Sequence, residues 1–282
     1  MAVLLMFLSS ACFVTMSAMV KALGPELPIT EIMFLRSLIA VPVLLLFLVR
    51  QGKPLVTRAR RLLLVRSLFG ITAMFSFYYA LTHMQLPDVV FIGRCQPIIL
   101  ALLAPLLVGE SSPPSARVAI ALGLAGAALV MRPGMDFSFP ALVAFGGATS
   151  SAVAHLMVRR LGQSDDTLVI VFNFTLILAL ASGTATLPVF VAPAPRQWLL
   201  LLFIAAFAST GQFLLTRAYS LDRAPAVAAA SYASVPLSAL YGYLFWQEIP
   251  PLSSWIGGLL IVGGGTYLLC ERISATRQDH AL

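Results

Sequence analysis

Charge is scarce in this chain. Of its 282 residues only 10% are Asp, Glu, Lys or Arg, where an average soluble domain carries about 25%, and 60% are hydrophobic. That balance excludes an ordinary water-soluble domain. Acidic residues, 11 in all, are rarer than basic ones, and the inner parts of the long apolar runs contain none. The chain also lacks HExxH, GxSxG and any clustered pair of carboxylates within those runs, so an intramembrane enzyme is a poor reading. Its three cysteines, Cys12, Cys95 and Cys270, lie in apolar runs without CxxC or Cys/His ligand spacing, which argues against a disulfide frame, a metal site or a cofactor. The glycine runs Gly257-Gly258 and Gly263-Gly264-Gly265, with Gly123 and Gly126, lack the strand-turn-helix setting and the Lys-Ser/Thr of a nucleotide loop. ATP drive is not indicated, and close helix packing is their natural use.

What remains is apolar length. A bilayer core needs about 20 mostly apolar residues per helix. Runs at 3–23, 30–49, 62–81, 86–108, 116–131, 139–158, 167–190, 197–216, 225–246 and 253–270 meet that pattern and predict ten transmembrane helices. The first run follows Met1 without a basic leader or a small-residue cleavage site and reads as a span rather than a signal peptide. The net charge of +7 is not interleaved with aromatics on one face, so nucleic acid is not a partner. It sits in the loops. With the N-terminus inside, the cytoplasmic loops and tail hold Arg50, Lys53, Arg58, Arg60, Arg61, Arg117, Arg159, Arg160, Arg217, Arg223, Arg272 and Arg277, whereas the other side holds Lys21, Arg132 and Arg196. The asymmetry predicts both termini in the cytoplasm and fits a bacterial inner membrane, with the lipid bilayer as a partner.

An internal repeat runs through the chain. At an offset of 138, Met19-Val-Lys-Ala-Leu-Gly24 falls on Met157-Val-Arg-Arg-Leu-Gly162, Phe34 on Phe172, Ala80 on Ala218, Pro87 on Pro225, Glu110 on Glu248, Pro113 on Pro251 and Gly126 on Gly264. The expected fold class is therefore an all-α integral membrane protein in which residues 1–138 and 139–282 are two five-helix repeats. Five is odd, so the second repeat enters the membrane inverted. Such repeats are common in alternating-access transporters, where exchange of the two halves' conformations opens one site to either side.

These marks resemble the drug/metabolite transporter superfamily in its ten-helix EamA-like branch. The first half carries Phe34-Leu-Arg36-Ser37, Tyr79-Ala-Leu81, Pro87, a central Pro97, Gly109-Glu110 and Arg132-Pro133-Gly134. The second echoes them with Arg217-Ala-Tyr219, Pro225, Pro236, Gln247-Glu248 and a glycine-rich last helix. The resemblance implies helices 4 and 9 near the centre, helices 1, 3, 6 and 8 around a cavity, and substrates ranging over amino acids, riboflavin, S-adenosylmethionine, nucleotide sugars and drugs. Small multidrug members carry a glutamate in helix 1 for proton exchange. Helix 1 here has none, which sets that route aside.

Arg94 is the residue that points most directly to a ligand. A charge near the middle of a span is expensive, so such arginines face a cavity or a partner. With no carboxylate deep in any span, the counter-ion is either the substrate, through a carboxylate or phosphate on the guanidinium fork, or, on a structural reading, backbone carbonyls freed near Pro97 or the side chain of Asp88. The repeat pairs Arg94 with Tyr232 and Ser17 with His155. Gln96, Ser231, Gln212, Tyr78 and Tyr79 complete the candidate lining. Pro97 and Pro236 are candidate kinks for gating. Arg36 reads as structural, and Arg66 as a cytoplasmic-side cation snorkelling from a span end. Coupling to protons or another ion is open, with His155 the candidate carrier ahead of His83. Glu110 and Glu248 read as caps of the helices that follow them. The function expected is secondary transport of small polar, anionic or zwitterionic metabolites by a functional monomer. The alternatives are import of a vitamin or cofactor such as riboflavin or S-adenosylmethionine and, from other classes, an intramembrane enzyme or a receptor.

Overall fold

The computed structural model of the chain describes residues 1–108, 116–131, 138–221, 227 and 230–279. Eleven α-helices lie among them: α1 (Ala2–Leu23), α2 (Ile29–Arg50), α3 (Arg60–His83), α4 (Leu86–Gly93), α5 (Gln96–Val108), α6 (Ala116–Met131), α7 (Phe139–Leu161), α8 (Thr167–Thr186), α9 (Pro195–Leu221), α10 (Ser234–Trp246) and α11 (Leu252–Asp279). Single 3-10 turns cover Leu187–Val189 and Ala230–Ala233. No strand occurs among the described residues.

Seven helical stretches among the described residues are long and apolar enough to cross a bilayer, with Leu86–Leu107 counted as one across the break between α4 and α5. Their surfaces bear out the composition. Leu64, Leu106, Leu180, Phe245 and Leu259 are each more than 60% exposed, an arrangement a water-soluble protein avoids and lipid tails favour. Hydroxyls inside the helices turn back on their own backbone. Ser10 donates to the Met6 carbonyl (2.9 Å), Ser37 to Met33 (2.7 Å), Thr175 to Val171 (2.8 Å) and Thr186 to Ser182 (2.7 Å), because hydrocarbon offers no other acceptor.

The helices pack in a fixed set of pairs: α1 with α9, α3 with α7, α2 with α8, α6 with α11, and α4 with α10. Between α6 and α11 the backbones nearly touch. A Cβ on Gly126 would collide with the Gly257 carbonyl, and a Cβ on Gly257 would lie 2.8 Å from a Val130 methyl. These glycines thus do the packing expected of them, whereas Gly263 faces open space.

The expectation of one kinked helix over 86–108 needs correction. The helix stops at Gly93 and restarts at Gln96. The Arg94 amide is shared between the Val90 and Phe91 carbonyls (3.0 Å each) and that of Cys95 reaches Ile92 (3.0 Å), the tightened bonding of a helix end. Pro97 becomes the second residue of α5. It fits there without loss, since first-turn amides need no intrahelical acceptor and the proline φ is already helical. The second half repeats the device: a 3-10 turn at Ala230–Ala233 precedes α10, and Pro236 is the third residue of that helix.

The end of α10 is equally specific. Gln247 has φ 56°, and its amide bonds the Tyr243 carbonyl (3.1 Å) in a left-handed helix cap, with the Glu248 amide on the Gly242 carbonyl (3.0 Å) beyond it. That turn aims Glu248 back at the molecule. Its carboxylate pairs with Lys21 at the end of α1 (2.7 Å) and accepts the Leu86 amide at the start of α4 (2.8 Å). The expected cap therefore forms on α4, not on α11, the helix that follows Glu248. Lys21 also donates to the Met84 carbonyl (2.5 Å). Glu110, its neighbours Gly109 and Pro113, Arg132-Pro133-Gly134, Arg223 and Pro225 lie outside the described residues.

Two adjacent carboxylates tie the α2–α3 loop to the α7–α8 loop. Asp165 accepts the Arg58 amide (2.7 Å), and Asp166 pairs with Lys53 (2.9 Å) while capping α8 through the Leu168 amide (2.8 Å). Partial burial by itself raises each carboxyl's pKa. The hydrogen bonds outweigh it, from the Arg58 amide and Ser164 to Asp165 and from Lys53 and the Leu168 amide to Asp166, so both end below the ordinary value of 3.8.

Candidate functional site

A cavity of about 180 Å³ lies among α1, α3, the α4–α5 break, α7 and α9. Its walls are largely apolar, with Phe13, Met16, Met74, Phe77 and Leu215 among them, and its polar groups are few. Seven of the nine candidate binding residues line it: Ser17, Tyr78, Arg94, Gln96, His155, Gln212 and Ser231. Residues from five separate helices thus converge on one space.

Tyr79 and Tyr232 do not line it. Tyr79 stacks on His83 (centroids 4.2 Å apart) and meets the edge of Phe139 at the end of α3. Phe77 and Tyr78 both face the cavity, and Tyr79, about 200° around the helix from Phe77, points away from it. Tyr232 is buried behind Arg94 among Cys95, Ile98, Ala127, Ala148 and Ile261, and its hydroxyl has no partner among the described residues.

Arg94 ends α4 at the break. One guanidinium nitrogen donates to the Ser231 carbonyl (3.0 Å), which also accepts the Ser234 hydroxyl (2.7 Å). The carbonyl freed in the second half's 3-10 turn therefore holds the arginine of the first half's break. This is the structural reading of Arg94 in a modified form, since the carbonyl belongs to the turn before Pro236 rather than to the Pro97 break. It uses part of the fork. Nε of Arg94 and Nε2 of Gln96 are buried without an acceptor, which is costly unless a further ligand arrives.

The cavity's other polar groups are mostly satisfied. Ser9 donates to the Gly211 carbonyl (2.7 Å), joining α1 to α9, and Ser17 to the Phe13 carbonyl (2.8 Å). Gln212 reaches the Thr216 hydroxyl (3.3 Å), Tyr78 the Met16 sulfur (3.5 Å), and His155 the Tyr219 hydroxyl (3.5 Å). The cavity is thus rich in unused N–H donors, and none of the described residues that line it is acidic.

Arg66 is the residue that the sequence reading misplaced. It is 3% exposed and lines the cavity instead of snorkelling to the cytoplasmic surface. Depth along a helix is legible in a sequence, but the face is not, and this face points inward. A signal does exist four residues on. A Cβ at Gly70 would collide with the Arg66 guanidinium. Arg36, read as structural, is buried outside the cavity, donates to the Met74 sulfur (2.6 Å) and lies 5.9 Å from the Tyr78 ring. His83 is likewise outside, bonded to the Tyr79 carbonyl (2.8 Å).

The comparisons with known proteins agree with this architecture. The model of the EamA-like transporter family matches residues 1–132 and again 138–270. A pseudopaline exporter of Pseudomonas aeruginosa is 32% identical over 98% of this chain and 96% of its own length. A riboflavin transporter of Brucella anthropi is 26% identical over 89% and 91%, and an S-adenosylmethionine uptake transporter of Rickettsia prowazekii 24% over 93% and 90%. A solved crystal structure shares the fold with a TM-score of 0.69 at 21% identity, covering 96% of this chain and 98% of that one. The chain is a multi-pass membrane protein and belongs to the EamA-like transporter family.

Proposed function

We propose that this chain is a secondary transporter that carries small polar metabolites, anionic or zwitterionic, across the cytoplasmic membrane by alternating access. One observation carries the substrate class. Arg94 sits at a broken helix in a cavity with no acidic side chain among its described lining residues, with only part of its fork bonded to them. A substrate carboxylate or phosphate is the natural counter-ion. Ser17, Tyr78, Gln96, His155, Gln212 and Ser231 contribute the remaining contacts in this reading, with Tyr232 supporting Arg94 from behind.

We read the chain as ten spans in two inverted repeats, residues 1–138 and 139–282. The family model matches twice with the same spacing. The helix packing also maps onto itself: a shift of 138 turns α1 on α9 into α7 on α3, and leaves α2 with α8 and α6 with α11 as they stand. The loop arginines set both termini in the cytoplasm. On that orientation the cavity draws on α1 residues 6–17, and the Lys21–Glu248 pair closes the outer end beyond them. One chain holds a complete pair of repeats and works as a monomer, with His155 as the candidate proton carrier if protons are the coupling ion. Import of a vitamin or cofactor is the second reading, favoured by the two relatives named for riboflavin and S-adenosylmethionine.

The test is a ligand screen by thermal unfolding of the purified chain in detergent, across amino acids, carboxylates, flavins and nucleosides. Bound ligand raises the midpoint by mass action. A shift with an anionic or zwitterionic compound that is lost in Arg94→Ala supports the proposal. A shift confined to cationic or apolar compounds, or one that survives the substitution, removes Arg94 from the site.

A further inference from the structure

The cavity holds a second cation that the Arg94 reading does not use. Arg66 makes no hydrogen bond or ion pair with any described residue, and its Nε is buried without an acceptor. Its one contact with a charge preference is Phe174, whose ring centre lies 3.4 Å from the guanidinium carbon. Stacking of this kind occupies the flat face of the group and leaves the N–H edge free.

Arg36, also buried with an unpartnered Nε, at least donates to the Met74 sulfur, and three further arginines find oxygen acceptors. Arg159 donates to the Tyr219 carbonyl (3.2 Å), Arg196 pairs with Glu26 (2.6 Å), and Arg94 reaches Ser231. A buried structural arginine ordinarily finds such acceptors, because up to five N–H donors are otherwise left bare. Arg66 finds none, although the chain makes room for it. Gly70, also in the wall, stands where any side chain would strike the guanidinium, and a glycine inside a helix is destabilising unless something requires it.

We propose that the transported molecule is a dianion, bearing two carboxylates or an equivalent doubly charged group. Arg66 receives one negative charge, and Arg94 with Gln96 receives the other. This rests on the transport reading of the cavity and narrows its substrate class. Two fixed cations face one space whose described lining residues include no acid. A single carboxylate would leave one guanidinium uncompensated in a low dielectric, a state proteins avoid. His155 lines the same cavity as both guanidiniums, which sets the two arginines around one site rather than at separate places in the fold.

The test compares isosteric probes on the whole purified chain. Glutamate and glutamine differ by one carboxylate at nearly equal size, succinate and butyrate make a second pair, and a phosphate monoester separates phosphate from carboxylate recognition. The expected result is that a dianion protects the wild-type chain from thermal unfolding at a concentration about tenfold or more below its singly charged or uncharged partner, the ratio for loss of one charge-assisted contact. Arg66→Gln abolishes that preference and leaves the affinity for the monoanion within a factor of about two. Arg66→Lys, which keeps charge without the fork, retains part of the preference.

The proposal is overturned if no dianion protects, if monoanions protect as well as dianions, or if Arg66→Gln leaves the preference intact. The wild-type comparison decides the matter even where Arg66→Gln fails to fold. The two readings fail separately. Binding that depends on Arg94 but shows no preference for dianions, or a preference that ignores Arg66, leaves the transport proposal standing and sinks the dianion. Binding that ignores Arg94 sinks both.

Discussion

Replacing Glu248 by glutamine removes a charge that holds three segments together. The carboxylate accepts the Leu86 amide at the start of α4 and pairs with Lys21, and both charged side chains are only 12% exposed. An exposed pair contributes at most about 1 kcal/mol, and breaking a fully buried one costs about 3–5 kcal/mol. This pair lies between. Glutamine keeps an oxygen for the Leu86 amide but leaves Lys21 with only the Met84 carbonyl and the Trp246 ring, 5.6 Å away. The expected cost is about 2 kcal/mol, rising to about 3 kcal/mol in Glu248→Ala, where the helix cap is lost too. At about 2–4 °C per kcal/mol for a chain of this size, Glu248→Gln lowers the midpoint by about 4–8 °C. The assay is thermal unfolding in detergent followed by tryptophan emission, with Trp246 beside the pair as the reporter. Lys21→Met, and the double variant with Glu248→Gln, complete a cycle whose coupling should be about 1.5 kcal/mol. Single effects that add within about 0.3 kcal/mol would show that the pair does not hold α1 to the α10–α11 turn, and the reasoning fails.

Three further outcomes are expected. Gly257→Leu should separate α6 from α11, since even a Cβ there crowds the Val130 side chain, and should cost about 3 kcal/mol, read as a lower midpoint and loss of monodisperse protein on size exclusion; an unchanged midpoint counts against the backbone contact. Gln247→Gly should stabilise the chain by about 1 kcal/mol by relieving a left-handed backbone, whereas Gln247→Val should do the reverse. Asp165 and Asp166 are held below their ordinary pKa, so their contribution is fully present above the unfolded value of 3.8 and is lost as pH falls through the lower folded values. Hydrogen exchange over residues 52–59 should therefore be slow at neutral pH and, corrected for the intrinsic rate, speed up only in strong acid; in Asp165→Asn it should already be faster at neutral pH.

Much of the fold was legible because hydrocarbon leaves few choices. Uninterrupted apolar runs of about 20 residues must be helices, and α1, α2, α3, α7, α8 and α9 fall where those runs lie. The sequence also carries the offset of 138 that sets residues such as Lys21 against Arg159. The break at Arg94–Cys95 was not. A proline in an apolar run signals disturbance without saying whether the helix bends around it or ends before it, and here it ends, leaving Pro97 in a first turn. Depth was easier to read than facing. Arg94, His155 and Gln212 reach the cavity as expected, while Tyr79 beside Tyr78 turns away and Arg66 turns in. Rotation of a helix about its axis depends on its neighbours, and one sequence carries little record of that. The partner of Glu248 was hidden for the same reason: the turn that aims it at α4 rests on the backbone conformation of Gln247.

The most direct test of the central claim is counterflow in proteoliposomes containing the wild-type chain or Arg94→Gln, using the compound with the largest thermal shift. The account predicts transient accumulation of labelled compound in vesicles preloaded with the unlabelled one, no ATP requirement, and a loss of about 10–100-fold in Arg94→Gln. Accumulation undiminished in a folded Arg94→Gln, or no exchange of any compound that binds, would contradict it.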